Sequence, residues 1–157
     1  MFERLRRTLS FNRLVHVYWR FARGLTLGVR ALVLDRDGRV FLIKHSYVDG
    51  WHLPGGGVEA GETMLEALAP ELREEGNIEV LGTPALHAVF YHPLYSNRDH
   101  VALFVVRDYR QPAPPQPNHE IIAHGFFPLD ALPPDTTRGT RARIAEALQG
   151  AAVSQRW

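Results

Sequence analysis

The chain has 157 residues and a net charge of +1, with 45% hydrophobic and 22% charged residues. This length and composition are typical of one globular domain with a sizeable core. The absence of cysteine excludes a disulfide framework and a thiolate zinc site, and it agrees with the reducing environment of the cytoplasm. No apolar run reaches the roughly 18 residues that a membrane-spanning helix requires.

The N-terminal segment, residues 1–24, is strongly basic. It contains six arginines and one glutamate, a local net charge of +5, so the remainder of the chain carries −4. Apolar residues at three- to four-residue spacings predict a helix over residues 2–23: Phe2, Leu5, Leu9, Val17 and Phe21. Three interpretations stay open. The helix packs on the domain or on a second copy in a homodimer, it contacts an anionic membrane surface as a peripheral amphipathic helix, or it is an organelle transit peptide.

Apolar runs predict strands on both sides of a central helix. The predicted strands are Leu25–Leu34, Val40–Lys44, Trp51–Pro54, Ile78–Leu81, Leu86–Tyr91, Val101–Tyr109 and Ile121–Phe127. Asp37-Gly38 is a hairpin-turn signal between the first two strands. A final amphipathic helix is predicted over Thr137–Leu148. We expect one domain over residues 25–150, followed by a tail at residues 151–157.

The central helix has recognisable signals at both ends. Thr63, with Glu66 three residues later, forms a capping box, so the helix is predicted to begin at Met64. It should end near Glu75, because Asn77 readily takes the left-handed conformation that follows a helix. Local sequence therefore specifies this helix before any tertiary contact is considered.

Three glutamates, Glu71, Glu74 and Glu75, share one face of this helix. Like charges at these spacings repel by roughly 0.2–0.5 kcal/mol per pair on an isolated helix. They also lie in its last turn, where the helix dipole disfavours anions. A bound divalent cation would reverse the effect, because Mg²⁺ and Ca²⁺ take oxygen ligands. The cluster therefore indicates a metal site.

Fixed spacings join a glycine-rich loop to these glutamates. Gly56 is followed by Glu62 after five residues, and the run Glu-Leu-Arg-Glu-Glu at 71–75 begins after eight more. The preceding residues read Trp-His-Leu-Pro-Gly-Gly-Gly-Val-Glu-Ala-Gly-Glu at 51–62. This arrangement resembles the box of the Nudix hydrolases, G-x5-E-x7-R-E-U-x-E-E-x-G-U with U aliphatic. The resemblance covers residues 25–148 and implies an α/β/α sandwich around a mixed β-sheet.

The resemblance implies hydrolysis of a diphosphate linkage in a nucleoside diphosphate-linked small molecule, with Mg²⁺ as cofactor and Mn²⁺ as a substitute. Such a substrate is anionic, and bound cations neutralise it and polarise its phosphorus–oxygen bonds. By resemblance, Glu74 and Glu75 are the main metal ligands, and Glu71 is a ligand or the base that orients water. The Gly56 carbonyl and Glu62 are expected to assist the metal site.

Outside the box the candidates are fewer. Glu120 precedes a predicted strand and is a candidate third catalytic residue beside Glu71 and Glu74; the alternative is a solvated loop carboxylate. Candidate substrate contacts are Arg98 with Asp99 and His100 for phosphate or ribose, Tyr91 or His92 for base stacking, and Trp51, against the alternatives of a surface turn and core packing. The other histidines show no metal-ligand spacing and are interpreted as structural. No nucleic-acid partner is predicted, because no groove-reading motif or recognisable array of stacking aromatics accompanies the basic segment.

Two positions depart from the box. Asn77 replaces its glycine, a mild change because Asn accepts the same backbone conformation. Pro70 replaces its arginine inside the helix, where proline removes a hydrogen bond and clashes with the carbonyl of Glu66, at a usual cost of roughly 3 kcal/mol. A kink just before Glu71 is expected. The chain is then a weakened or specialised hydrolase, a nucleotide-binding or sensing domain without turnover, or a protein in which Pro70 is an engineered or accidental change.

Overall fold

A computed structural model describes residues 18, 24–94, 96–116 and 118–157. Its strands in chain order are β1 (Thr26–Val33), β2 (Val40–His45), β3 (Trp51–His52), β4 (Glu79–Val80), β5 (Ala85–Tyr91), β6 (Asp99–Val106), β7 (Tyr109–Arg110) and β8 (Ile121–Phe127). The helices are α1 (Met64–Gly76) and α2 (Arg138–Leu148). None of the described helices is long and apolar enough to cross a membrane. Apart from residue 18, the helix predicted over residues 2–23 lies outside the described part of the chain.

The strands form three hydrogen-bonded sheets, ordered β1-β6-β5, β3-β2-β8 and β4-β7. The first is mixed, because β1 and β6 are parallel while β5 and β6 are antiparallel. The other two are antiparallel. The predicted arrangement of a mixed sheet with helices is confirmed, although the strands divide among three sheets.

Buried residues of β1 alternate between two sides of the sheet, as expected for a strand covered on both faces. Val29, Ala31 and Val33 pack in the core cluster that contains the apolar side of α1. Leu32 belongs to a second cluster, which contains Ile144 of α2. The sheet therefore lies between two helical layers.

Two predicted strands end at least two residues earlier in the structure. The prediction of one strand over Val101–Tyr109 was wrong, because β6 ends at Val106 and Tyr109 pairs with β4. The Asp108 carbonyl accepts hydrogen bonds from the N–H groups of Leu81 and Gly82, which takes this residue out of the β6 ladder. The predicted Trp51–Pro54 strand is reduced to its first two residues, β3, and the chain then turns to lie beside β1.

The C-terminal residues pack back onto the domain. Tyr91 donates its N–H to the Gln155 carbonyl at 3.0 Å, and Trp157 donates its N–H to the Tyr91 carbonyl at 3.0 Å. The buried Arg143 guanidinium donates to the Arg156 carbonyl at 2.8 Å. The predicted tail, residues 151–157, is therefore held against β5 and α2.

Helix α1 begins and ends as its sequence predicts. Thr63 Oγ1 accepts from the Glu66 N–H at 3.3 Å, and Glu66 Oε2 accepts from the Thr63 N–H at 2.8 Å, which completes the capping box. Asn77 takes the left-handed conformation, with φ of 50°, as the C-cap. The helix continues without interruption through Pro70, which is solvent-exposed. The expected kink therefore does not end the helix before the glutamates.

The capping box should contribute measurably to stability. We expect Thr63→Ala to lower the free energy of unfolding by about 1 kcal/mol, because it leaves an N-terminal N–H of α1 without its acceptor. Urea unfolding followed by circular dichroism would measure the loss. Thr83→Ala, at an exposed threonine outside any helix or strand, is the matched control. Equal effects of the two substitutions would contradict the prediction.

Candidate functional site

The glycine-rich loop runs along the free edge of β1. Three backbone hydrogen bonds hold it there: Ala31 N–H to Pro54 O (2.9 Å), Val29 N–H to Gly56 O (2.8 Å) and Val58 N–H to Leu27 O (2.8 Å). Gly55 has φ of +135°, and a Cβ atom there would lie 2.1 Å from the Val29 carbonyl oxygen. Only glycine can take this backbone conformation at such a close approach. The loop is thus fixed against the sheet before it reaches α1.

Glu75 is the most deeply buried glutamate of the box, with 7% of its surface exposed. Its Oε2 accepts the Gly55 N–H at 2.6 Å, and its Oε1 lies 3.8 Å from Nε2 of His45. Burial is the main cause that raises the pKa of Glu75 to about 8; the charges of Glu71 and Glu120 add to the rise, and the Gly55 N–H and Arg30 oppose it. A buried carboxylate in the company of other carboxylates is a favourable place for a cation.

Glu71 lies behind Gly56. A Cβ atom on Gly56 would lie 2.1 Å from Glu71 Oε1, so the missing side chain of the glycine leaves the space that this carboxylate occupies. Glu71 is half-buried. Its burial is the main cause that raises its pKa, and the charge of Glu74 is the second. The glycine and the glutamate of the box are therefore in direct steric contact.

Glu120 reaches the same site from the loop before β8. Its Oε1 accepts a hydrogen bond from the Tyr47 hydroxyl at 2.8 Å, and its carbonyl accepts the Ser46 N–H at 2.8 Å. These contacts join the loop after β2 to the loop before β8. They bring a glutamate distant in sequence to the box carboxylates.

A cavity of about 1280 Å³ has Glu71, Glu75, Glu120 and the Gly55–Gly57 backbone among its walls. Glu74 and Glu62, both predicted to support the metal, are solvent-exposed and lie outside these walls. Glu62 instead accepts the Glu59 N–H at 3.1 Å within the loop. The structure thus brings together three of the predicted acidic residues and leaves two at its margin.

The donor set of the site fits a hard divalent cation, because it consists of carboxylate and backbone carbonyl oxygens. Within the ranges that the structure describes, no three acidic or histidine side chains converge as a preformed cation cage. Shared coordination by Glu71, Glu74 and Glu75 therefore requires side-chain rotation. The Gly56 carbonyl already accepts one hydrogen bond, from Val29, and a carbonyl oxygen has a second lone pair.

The candidate substrate contacts Trp51, Tyr91 and Arg98 lie outside the cavity walls. Trp51 packs edge-on against Phe127, with ring centroids 4.9 Å apart. Tyr91 packs against His100 at 5.5 Å, and Arg98 is exposed in the turn before β6. The cavity is lined instead by His92 and Asp99 from the same region. Nδ1 of His92 lies 3.4 Å from Oδ2 of Asp99, and the Thr26 hydroxyl donates to Oδ1 of Asp99 at 3.0 Å.

Sequence reasoning did not single out four further residues of the cavity. They are Arg30, His45, Tyr47 and His52. His45 packs against Tyr47 and His52, with ring centroids 5.0 and 5.9 Å away. Burial lowers the pKa of both histidines, and the charge of Arg30 lowers them further. The sequence held one signal for Arg30, since it is the single charged residue of β1, a strand whose other members are mostly apolar.

The structure thus packs a glycine loop against a helix that carries glutamates, within an α/β/α fold, as the sequence pattern predicts. The sequence pattern of the NUDIX domain family matches residues 24–148. The chain belongs to this family, whose members generally use divalent metal ions.

Three comparisons illustrate the relationship. A MutT NUDIX hydrolase from Burkholderia pseudomallei is 31% identical, with a TM-score of 0.63 over 74% of this chain and 92% of that one. An ADP-ribose pyrophosphatase from Streptococcus suis is 25% identical, with a TM-score of 0.58 over 83% of this chain and 97% of that one. An RNA pyrophosphohydrolase from Halorhodospira halophila is 45% identical over 64 residues, which span 38% of this chain and only 35% of that relative.

Proposed function

We propose that this protein hydrolyses a diphosphate linkage in a nucleoside diphosphate derivative, with Mg²⁺ bound at the box glutamates and Mn²⁺ able to substitute. The observation that supports the proposal is the position of Glu75. Its carboxylate is buried, bonded to Gly55 and surrounded by the charges of Glu71 and Glu120 beside one cavity. Burial of such a carboxylate does not stabilise the fold by itself, whereas its oxygens can bind a divalent cation that in turn binds phosphate.

The residues of the cavity divide the chemical work. A divalent cation, when bound, neutralises phosphate oxygens and polarises the phosphorus–oxygen bonds. Glu71 and Glu120 both line the cavity and are candidates to accept the proton of the attacking water. As the water oxygen bonds to phosphorus, the bond from that phosphorus to the bridging oxygen breaks. The raised pKa of Glu71 makes it a stronger base than a solvated glutamate.

The nucleoside part of the substrate should be recognised by residues of the cavity that lie outside the box. His92 and Asp99 line it, and we propose that they contact the nucleoside part of the substrate in preference to Arg98, Trp51 and Tyr91. Relatives named for ADP-ribose and for RNA suggest two substrates to test, although the RNA pyrophosphohydrolase match spans about a third of that relative. Action on small nucleotides without a nucleic-acid partner stays a prediction. Cytoplasmic placement, membrane contact through residues 1–24 and homodimerisation also stay predictions.

Hydrolysis of a substrate panel would test the proposal. The panel contains a nucleoside triphosphate, ADP-ribose, a UDP-sugar and an RNA with a 5′-triphosphate, each with Mg²⁺. We expect turnover of at least one, and a fall of more than about 100-fold in Glu74→Gln/Glu75→Gln, because the substitution removes two metal-binding carboxylates. Glu59→Gln, at an exposed loop glutamate outside the cavity, is the matched control. Turnover that survives the double substitution would contradict the assigned site.

The alternative function is nucleotide binding or sensing without turnover. Pro70 and the lack of a preformed cation cage among the described residues favour it. The panel should therefore include Pro70→Arg, which restores the arginine of the family pattern. If this chain hydrolyses none of the panel but Pro70→Arg hydrolyses at least one substrate, the proline disables a hydrolase site. Calorimetric titration of the same panel would then identify the bound nucleotide.

A further inference from the structure

We propose that Arg30 is a positioning residue of this site: its guanidinium, bonded to the Gly55 carbonyl, fixes the glycine loop and offsets the charge of Glu71 and Glu75. This inference rests on the proposed function for its effect on turnover, and on geometry alone for its effect on the loop.

The placement of Arg30 calls for a reason. It is half-buried in the middle of β1, directly opposite Leu103 of β6, and its neighbours Val29 and Ala31 are fully buried. A charge in such a strand costs free energy unless polar groups satisfy it. Its Nη1 donates to the Gly55 carbonyl, so the charge is directed at the glycine loop.

The contact fixes Gly55 from one side while Glu75 holds it from the other. The Gly55 carbonyl accepts from Arg30, and the Gly55 N–H donates to Glu75 at 2.6 Å. Gly55 has φ of +135°, a backbone conformation that residues with a side chain rarely adopt. Without the guanidinium, the Gly55 carbonyl would lose this donor, and the Gly55 N–H that donates to Glu75 would be held less firmly.

The charge of Arg30 also reaches the carboxylates. Arg30, Glu71 and Glu75 line the same cavity, so the guanidinium charge lies in one pocket with both carboxylates. Lys44 is engaged elsewhere, since it pairs with Asp135 at 2.6 Å. The charge of Arg30 is therefore directed at the loop that Glu75 also contacts.

Amide hydrogen exchange by NMR on the metal-free protein would test the positional claim without any activity. In Arg30→Gln we expect exchange at the Gly55 N–H to rise at least tenfold, while the Leu103 amide of β6 stays protected. Arg30→Lys should lie between the two, because lysine keeps the charge without the planar donor fork. Arg36→Gln, at an exposed arginine of the β1–β2 turn, should change neither amide.

Kinetics of the same variants completes the test. We expect Arg30→Gln to lower kcat by about 10–100-fold with little change in KM, as for a displaced supporting group.

Two outcomes would overturn the inference. Equal loss of protection at Gly55 and Leu103 would make Arg30 a residue of the fold. A fall in kcat with unchanged Gly55 exchange would make it a substrate contact. If the parent chain hydrolyses nothing but Gly55 exchange still responds as expected, the proposed function fails and the positioning role of Arg30 stands.

Discussion

Glu75→Gln should stabilise the metal-free protein above pH 8 and abolish its response to Mg²⁺. Burial raises the pKa of Glu75 to about 8 in the folded protein, against the ordinary value of 4.5. Between these two pH values the unfolded chain has released the proton that the folded protein still holds. The free energy of unfolding therefore falls as pH rises through this window, and the loss persists above pH 8.

Glutamine removes this dependence because it is neutral at every pH, while its amide oxygen can still accept the Gly55 N–H. At pH 9 without metal we expect the variant to be more stable by on the order of 3 kcal/mol, or roughly 10 °C in melting temperature. At pH 5 the difference should be small. Thermal unfolding followed by circular dichroism at both pH values would measure it.

Added Mg²⁺ should stabilise the parent chain and have little effect on Glu75→Gln. A ligand that binds only the folded state stabilises it, by about 2.7 kcal/mol at 100 times its dissociation constant. We expect a rise in melting temperature for the parent chain, larger at pH 8 than at pH 6 because the metal displaces the proton of Glu75. Glu75→Gln should show little rise, and Glu59→Gln should behave like the parent. A full Mg²⁺ response in Glu75→Gln would exclude this residue as a ligand.

Gly56→Ala should impair hydrolysis while leaving the fold intact. The added methyl would lie 2.1 Å from Glu71 Oε1, and the obstacle is the end of a flexible side chain. The carboxylate can therefore move aside, and the backbone conformation of Gly56 does not require glycine. Because a shift of about 1 Å in a catalytic group can cost about 100-fold in rate, we expect a loss of that order in kcat. The free energy of unfolding should change by less than about 1 kcal/mol.

Two neighbouring glycines provide the comparison. A Cβ atom on Gly57 meets nothing within 4 Å, so Gly57→Ala should keep activity and stability near those of the parent. A Cβ atom on Gly55 meets backbone at 2.1 Å, so Gly55→Ala should destabilise the fold itself. Steady-state kinetics and urea unfolding of the three variants would separate these effects. Equal activity of Gly56→Ala and Gly57→Ala would mean that Glu71 does not act from its observed position.

The sequence by itself determined the family, the helix and the acidic cluster. The capping box at Thr63 and the left-handed Asn77 are local interactions, so they could be recognised from neighbouring residues. The spacing of Gly56 and Glu71 identified a glycine and a carboxylate that proved to be in contact. The family resemblance implied the α/β/α layering, and the burial of alternate β1 residues in two core clusters agrees with it.

Only the tertiary structure decided which other groups meet at the site. Glu120 is joined to Tyr47 across two loops, and Arg30 reaches Gly55 from a neighbouring strand. The sequence offered His92 and Asp99 as candidates beside Tyr91 and Arg98, and the tertiary structure decided that the first two line the cavity and the others do not. Contacts between distant segments depend on how strands pair and how loops close over them, and one chain read without relatives carries no local signal for such pairing. The residues of the box could therefore be recognised from the sequence, because their interactions are local. The residues that complete the site could not, because strand pairing and loop contacts bring them together.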